Sequence, residues 1–255
     1  MEQIFLSPRS SCFWTTRPAV APYQIMKRYL VTGASRGIGR AIAEKLAASD
    51  VELLLHGRDT VALADVCNSL KPRCARVVRL IHDLAVTSGV SDLIAQAGKD
   101  PLDLLVNNAG VAIVKPFGEI TRVEWEQTLG VNVTAPFLLT QHLAQNMPPG
   151  SSIVNILSIA AKTGFPNWSA YCMSKFALEG FSQSVREELR DRKIRVINVY
   201  PAATDTNIWN NIEGEWPRKK MISPEEVASA VAYALSRPAE VALENITLSN
   251  LTGNL

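Results

Sequence analysis

Histidine and cysteine are scarce in this chain of 255 residues, with only three of one and four of the other. The histidines are His56, His82 and His142, and the cysteines are Cys12, Cys67, Cys74 and Cys172. No two cysteines form a C-x-x-C pair and no histidine follows at a zinc-ligand spacing, so no metal site is expected. Four cysteines in a chain this long do not make a disulfide framework, and a reducing, cytoplasmic setting is expected. Charge of one sign is also lacking. The 26 basic and 24 acidic side chains leave a net charge of +2, which gives no support to nucleic-acid binding by bulk electrostatics. No apolar run reaches the roughly 18 residues needed to span a membrane. Fourteen glycines and fourteen prolines are too few for a collagen-like or linker-dominated chain. What is plentiful is apolar surface, at 47% of residues, which excludes a disordered protein.

That apolar material alternates between short runs and longer amphipathic stretches. Strands are expected at Tyr29–Val31, Val51–Leu55, Ala75–Leu80, Leu102–Val106, Ser152–Leu157 and Ile194–Tyr200, with a last one at Ile246–Leu248. Helices are expected at Arg40–Ala48, Val61–Leu70, Val86–Ala97, Val123–Gln145 and Ser169–Leu189, and another opens at Pro224. Strands that alternate with helices and read apolar on both faces are buried parallel strands. The expected fold is therefore a single α/β domain, a Rossmann-type doubly wound parallel sheet with helices on both faces, over residues 26–255. Ligands of such sheets bind beyond the carboxyl ends of the strands, where the strand order reverses. Residues 1–25 differ, with Arg9 and Arg17 against the single acid Glu2. They read as a loose extension or as sequence upstream of a start at Met26. An organelle-targeting peptide is the other reading.

The first strand runs into Thr32-Gly33-Ala34-Ser35-Arg36-Gly37-Ile38-Gly39 and then a helix. Glycines there permit a tight turn and the close approach of a phosphate or ribose. The helix N-terminus adds free amides and partial positive charge for a pyrophosphate. A glycine cluster alone also marks ordinary turns, but its place between strand and helix points to a nucleotide. An acid usually ends the second strand of an NAD site, to hold the ribose 2′-hydroxyl. Here Gly57 stands in that place and Arg58 follows, while Arg36 lies in the glycine turn. Two guanidiniums suit a 2′-phosphate, which favours NADP(H). Two solvated surface arginines are the alternative.

Tyr171 and Lys175, four apart, share one face of the helix they begin. An ammonium near a phenol is expected to lower the phenol's pKa toward useful acid–base chemistry. Such a pair also arises by chance on surface helices. Ser158, at the end of the fifth strand, adds a hydroxyl able to bind a substrate carbonyl while Tyr171 delivers the proton. Asn107-Asn108-Ala109-Gly110 ends the fourth strand, and Asn132 lies inside a long apolar helix, either as a functional group or as a satisfied structural amide.

Taken in order, these motifs resemble the short-chain dehydrogenase/reductase family from about Lys27 to the end of the sixth strand. The matching features are the 32–39 turn, Asp83-Leu84 after the third strand, Asn107–Gly110, Asn132, Ser158, Tyr171 and Lys175. The resemblance implies a catalytic tetrad of Asn132, Ser158, Tyr171 and Lys175. It implies a cofactor site built from Gly33, Ser35, Arg36, Gly37, Ile38, Gly39, Arg58, Asp83, Leu84, Asn108, Ala109, Gly110, Tyr171, Lys175, Pro201, Thr204 and Thr206. In that picture Asp83 and Leu84 hold the adenine, Lys175 binds the nicotinamide ribose, and Asn132 positions a water that resupplies the proton. Homodimers or homotetramers built on the two long helices are implied too, with Leu178, Phe181 and Val185 as the outward stripe, unless that stripe is core. Two departures stand out. Ala202 replaces the glycine that usually follows Pro201, so its backbone must avoid positive φ. The C-terminus lacks the usual Asp-Gly-Gly.

The expected activity is an NADP(H)-dependent carbonyl reductase or alcohol dehydrogenase acting on a small-molecule carbonyl or alcohol. Its lid would be residues 206–223, carrying Trp209, Ile212 and Trp216, with Phe165 and Trp168 near the tyrosine. Arg218, Lys219 and Lys220 would be either a solvated turn or a dock for an acidic partner. A 3-oxoacyl-carrier-protein reductase is thus one alternative. A non-catalytic NADP(H)-sensing regulator is another, although it would have little need of all four tetrad residues.

Overall fold

Seven strands pair in parallel in the order β3-β2-β1-β4-β5-β6-β7. They are β1 (Lys27–Val31), β2 (Val51–His56), β3 (Arg76–Leu80), β4 (Leu104–Asn107), β5 (Ser152–Ile156), β6 (Arg195–Pro201) and β7 (Asn245–Leu248). The computed structural model describes residues 26–212, 214–251 and 253, so the expected extension lies outside the described residues. The helices are α1 (Gly37–Leu46), α2 (Thr60–Leu70), α3 (Thr87–Ala97), α4 (Arg122–Leu129), α5 (Ala135–Leu143), α6 (Ser169–Arg190) and α7 (Pro224–Leu235). Each strand-to-strand step passes over a face of the sheet, and the order reverses between β1 and β4. The ends of those two strands therefore open the crevice where a ligand is expected.

Two cores sandwich the sheet. One packs Val31, Leu53 and Leu55 against Ile42, Leu63, Val66 and Val231 of α1, α2 and α7. The other packs Leu30, Leu54 and Leu105 against Val90, Leu93, Leu139 and Leu189 of α3, α5 and α6. Each leucine withdrawn from water in this way contributes about 1.5–3 kcal/mol. Among the described residues no helix is long and apolar enough to cross a membrane.

Three expectations need correction. First, the central strands are not apolar throughout. Asn107, Asn155, Asn198 and Asn245 stand in register across β4, β5, β6 and β7. Their amides bond in file, Asn107 to Asn155 at 2.9 Å and Asn155 to Asn198 at 3.3 Å. The file is anchored on Thr140 of α5 and Ser182 of α6. Burial would be costly for the amides of Asn107, Asn155 and Asn198 alone, and their pairing is what makes the row tenable.

Second, the long helix expected over Val123–Gln145 is interrupted by a π-helical turn at Gly130–Thr134. Gly130 lies against the Ala85 carbonyl, where a Cβ would sit 2.5 Å from the oxygen. The Thr128 hydroxyl donates back to the Glu124 carbonyl, a bond that bends helices. The extra residue of the π-turn swings Asn132 inward.

Third, of the two readings of the Leu178, Phe181 and Val185 stripe it is the core one that holds, for Leu178 is buried and Phe181 and Val185 pack against the cores. Ala202 meets its constraint. The described non-glycine residues with positive φ are Asn167 and Lys193, and Ala202 continues the extended chain by donating to the Leu248 carbonyl.

Candidate active site

The glycine turn is tied to the end of β4 by side chains. The Thr32 hydroxyl accepts from the amides of Asn108 and Ala109, each at 3.0 Å, and donates to the Val106 carbonyl. The Asn108 amide donates to the carbonyls of Thr32 and Gly33. Gly33 and Gly37 have φ of 66° and 56°, in the left-handed region. A Cβ on Gly39 would collide with the Gly33 carbonyl and the Asn108 amide. Helix α1 begins at Gly37, not Arg40, because Arg36 is extended and serves as its N-cap. The free amides of the first helical turn thus face the crevice.

A cavity of about 1030 Å³ fills the crevice. At one end lie Gly33, Ser35, Arg36, Gly37, Ile38, Arg58, Asp83 and Leu84, and further along lie Asn108, Ala109, Gly110, Tyr171, Lys175 and Thr206. Its size and its glycine-lined floor suit a dinucleotide. Arg36 is exposed, while Arg58 pairs with Asp83 at 3.6 Å with both side chains half exposed. Gly39 does not line the cavity; it packs beneath it. Pro201 and Thr204 line a smaller neighbouring cavity, which Ser158 shares with Ile38, Tyr171 and Thr206.

At the far end of the crevice stand the proposed catalytic groups. Lys175 is buried and its ammonium donates to the Ile156 carbonyl at 2.9 Å, with the Nζ 5.6 Å from the Tyr171 ring centre. Burial lowers its pKa to about 8. Burial pushes the Tyr171 phenol up to about 12, against a hydrogen bond with Ser158 that pulls it down. The expected lowering of Tyr171 by Lys175 is therefore absent in this structure. The ammonium is turned toward the strand carbonyl, and desolvation of the phenol prevails. The Ser158 hydroxyl also accepts from the Ala160 amide at 3.1 Å.

Asn132 lines neither cavity. Its carbonyl accepts from the Val111 amide, and its NH₂ donates to the Val111 carbonyl and the Ser174 hydroxyl, each at 2.9–3.0 Å. Its side chain thus holds the loop after β4 and α6 together. Gly110 sits beside both groups, since a Cβ there would meet Asn132 Oδ1 at 3.6 Å and Lys175 Nζ at 3.8 Å.

Some groups in the site are invisible to motif reading. His56 is buried under the glycine turn. Its Nδ1 accepts from the Gly33 amide at 3.4 Å and its Nε2 donates to the His82 carbonyl at 3.1 Å. Burial lowers its pKa to about 4, so the ring is neutral. A polar residue closing an apolar strand was the available signal. Lys115 and Glu124 pair at 2.7 Å on the cavity wall, where Lys115 and Thr121 hold the Glu124 carboxyl down to about 2. Glu124 is legible only as the capping-box partner of Thr121.

A family model for the short chain dehydrogenase matches residues 27–216. The 3-oxoacyl-[acyl-carrier-protein] reductase FabG of Aquifex aeolicus is 32% identical over 225 residues, covering 82% of this chain and 90% of that one. Carbonyl reductase [NADPH] 2 of Sus scrofa is 31% identical over 226 residues, covering 82% and 88%. The crystal structure of the landomycin C-6 ketoreductase LanV with bound NADP and rabelomycin superposes with a TM-score of 0.76 at 32% identity, covering 87% of this chain and 94% of that one. With the strand order, the glycine turn and the Ser158–Tyr171–Lys175 cluster, these matches establish that this chain is an oxidoreductase of the short chain dehydrogenase family.

Proposed function

We propose that this chain is an NADP(H)-dependent carbonyl reductase, running in reverse as an alcohol dehydrogenase. The observation that carries this reading is the meeting of Ser158, Tyr171 and Lys175 at the junction of the two cavities. Bound NADP(H) supplies the hydride for the carbonyl carbon. Ser158 holds the carbonyl oxygen by a hydrogen bond, and Tyr171, bonded to Ser158, gives its phenolic proton to that oxygen. Lys175 then faces a developing phenolate, and its charge stabilises it. Asn132 and Ser174 set the helix that carries both groups. Arg36 and Arg58 flank the end where a 2′-phosphate would lie, and the ketoreductase and carbonyl reductase relatives bind or are named for the phosphorylated cofactor.

The free thiols Cys67, Cys74 and Cys172 fit a reducing, cytoplasmic setting. Assembly as a homodimer or homotetramer through α5 and α6 belongs to the same reading.

Reduction of a 3-oxoacyl thioester is a second reading, favoured by the FabG relative. Against it, Arg218 of the basic run is spent on Asp205, Asn210 and the Thr206 carbonyl. The test is Tyr171→Phe. NADPH binding should persist, while turnover of a carbonyl panel should fall by roughly 10²–10⁴-fold, the worth of a positioned proton donor. Full turnover in that variant would remove Tyr171 from the chemistry and the proposal with it.

A further inference from the structure

The second cavity, of about 160 Å³, opens from Ser158 and Tyr171 toward Phe165 and the lid, with Ile38 and Thr206 on its crevice side. Its walls are aromatic. Trp168 lies edge-on to Tyr171 at 5.5 Å and to Trp209 at 5.8 Å, and Trp209 meets Trp216 at 4.7 Å. Phe165 and Ala202 also face it. Among the described residues, the lining holds no charged side chain.

The indoles are held in place. The Trp209 N–H donates to the Thr204 carbonyl at 2.8 Å, and that of Trp216 to the Ile212 carbonyl at 3.3 Å. Their hydrogen-bonding ends are thus spent on the lid, and their ring surfaces are left for a ligand. Trp168 follows Asn167, whose φ of 68° is fixed as its carbonyl accepts from the Lys115 amide at 2.9 Å. Asn is among the few side chains that tolerate such a φ. Arg218, which ties Asp205 to Asn210, closes the lid from outside.

An apolar cavity of about 150 Å³ is large enough for one benzene ring. Ser158 and Tyr171 are the hydroxyls beside this one that the mechanism uses; of the others that line it, Thr204 already donates to the Ala202 carbonyl and Thr206 stands at the crevice side. From the cavity's size, its lack of charge and its continuity with Ser158 and Tyr171, we infer that the substrate is an uncharged carbonyl compound bearing a single aromatic ring next to the carbonyl. The ring stacks against Trp168 and Trp209 while the oxygen reaches Ser158 and Tyr171. A linear acyl thioester would leave the aromatic surfaces unfilled. This inference rests on the carbonyl-reductase reading, and its test separates the two.

The purified full chain is assayed with NADPH on acetophenone, on 2-octanone of equal carbon count, and on an acetoacetyl thioester of pantetheine. Binding of 1-phenylethanol to the protein with NADP⁺ is followed by tryptophan fluorescence. The inference expects acetophenone to have the highest kcat/KM and 1-phenylethanol to quench saturably. Trp209→Ala should lower the ratio of acetophenone to 2-octanone kcat/KM by roughly tenfold or more, within the range that removing apolar pocket contacts can reach. Trp209→Phe, which keeps a ring, should lower it less. NADPH binding checks the fold of each variant. Preference for either linear substrate, or an unchanged ratio in Trp209→Ala, overturns the aromatic subsite and leaves carbonyl reduction standing. Saturable quenching without turnover of any compound supports the subsite and overturns the reductase reading. Neither turnover nor quenching overturns both.

Discussion

His56 shows how one buried residue can make stability depend on pH. Its neutral ring accepts from the Gly33 amide and donates to the His82 carbonyl, so the glycine turn rests on an uncharged imidazole. Burial lowers its pKa to about 4 from an ordinary value of 6.5. Above pH 6.5 the ring is neutral in folded and unfolded chains alike, and the shift has no effect. As pH falls from 6.5 toward 4, the unfolded chain takes up a proton that the folded one refuses, so stability is lost. Between pH 7 and pH 4.5 this amounts to about 2–3 kcal/mol, at 1.36 kcal/mol per pH unit. His56→Gln, which cannot titrate, should lose less stability by about that amount over the same interval in urea unfolding. Parallel losses in the two proteins would show that His56 titrates normally.

At the scale of elements, the asparagine file is what most distinguishes this sheet from an apolar one. It ties β4 to β5 one residue before Ile156, whose carbonyl holds Lys175, and two before Leu157, which leads to Ser158. Removing Asn155 strands one N–H of the Asn107 amide and the Asn198 Oδ1 in the core, while Thr140 still accepts from Asn107 and Ser182 still donates to the Leu178 carbonyl. Each stranded polar group costs about 1–3 kcal/mol. Asn155→Ala should therefore lower the melting temperature by roughly 5–15 °C, taking about 2–4 °C per kcal/mol for a chain of this size. An unchanged melting temperature would mean that water or a neighbour satisfies the file.

The strands themselves were legible because parallel buried strands must be apolar nearly throughout, and Val51–Leu55 or Leu102–Val106 offer no other reading. The asparagines were not, because a lone Asn in such a run carries no sign of its partner, and the register that pairs four of them is a property of the assembled sheet. The break at Gly130–Thr134 was hidden for a similar reason. The apolar period continues through it, and only the approach of Ala85 in space requires the glycine. The glycine turn, Ser158, Tyr171 and Lys175 could be found because their spacing is local or lies at strand ends. Their electrostatics could not, since burial depends on what the whole chain packs around them.

On the scale of the whole molecule, the crevice divides two halves. Gly33, Arg36, Arg58 and Asp83 come from β1, β2, β3 and their following turns, whereas Asn108, Tyr171, Lys175 and Thr206 come from β4 onward. A ligand along the full cavity contacts both halves and binds only when they are assembled. It must therefore stabilise the folded state by mass action, by about 2.7 kcal/mol at one hundred times its dissociation constant. For a chain of this size that is roughly 5–10 °C. The arginines make the effect selective. A 2′-phosphate gains charge-assisted bonds from Arg36 and Arg58 that a 2′-hydroxyl cannot, though Arg58 must loosen from Asp83 to make them. At equal concentration, NADP⁺ should raise the melting temperature by several degrees more than NAD⁺. Because both guanidiniums are exposed, added salt should shrink the difference. In the Arg36→Ala, Arg58→Ala double variant the NADP⁺ shift should fall to that of NAD⁺, while the NAD⁺ shift stays near its original value. Equal shifts in the unaltered protein would place the phosphate elsewhere and withdraw the preference. A double variant that still favours NADP⁺ would move the selectivity to other donors at that end of the cavity, the free amides of the first turn of α1 foremost among them.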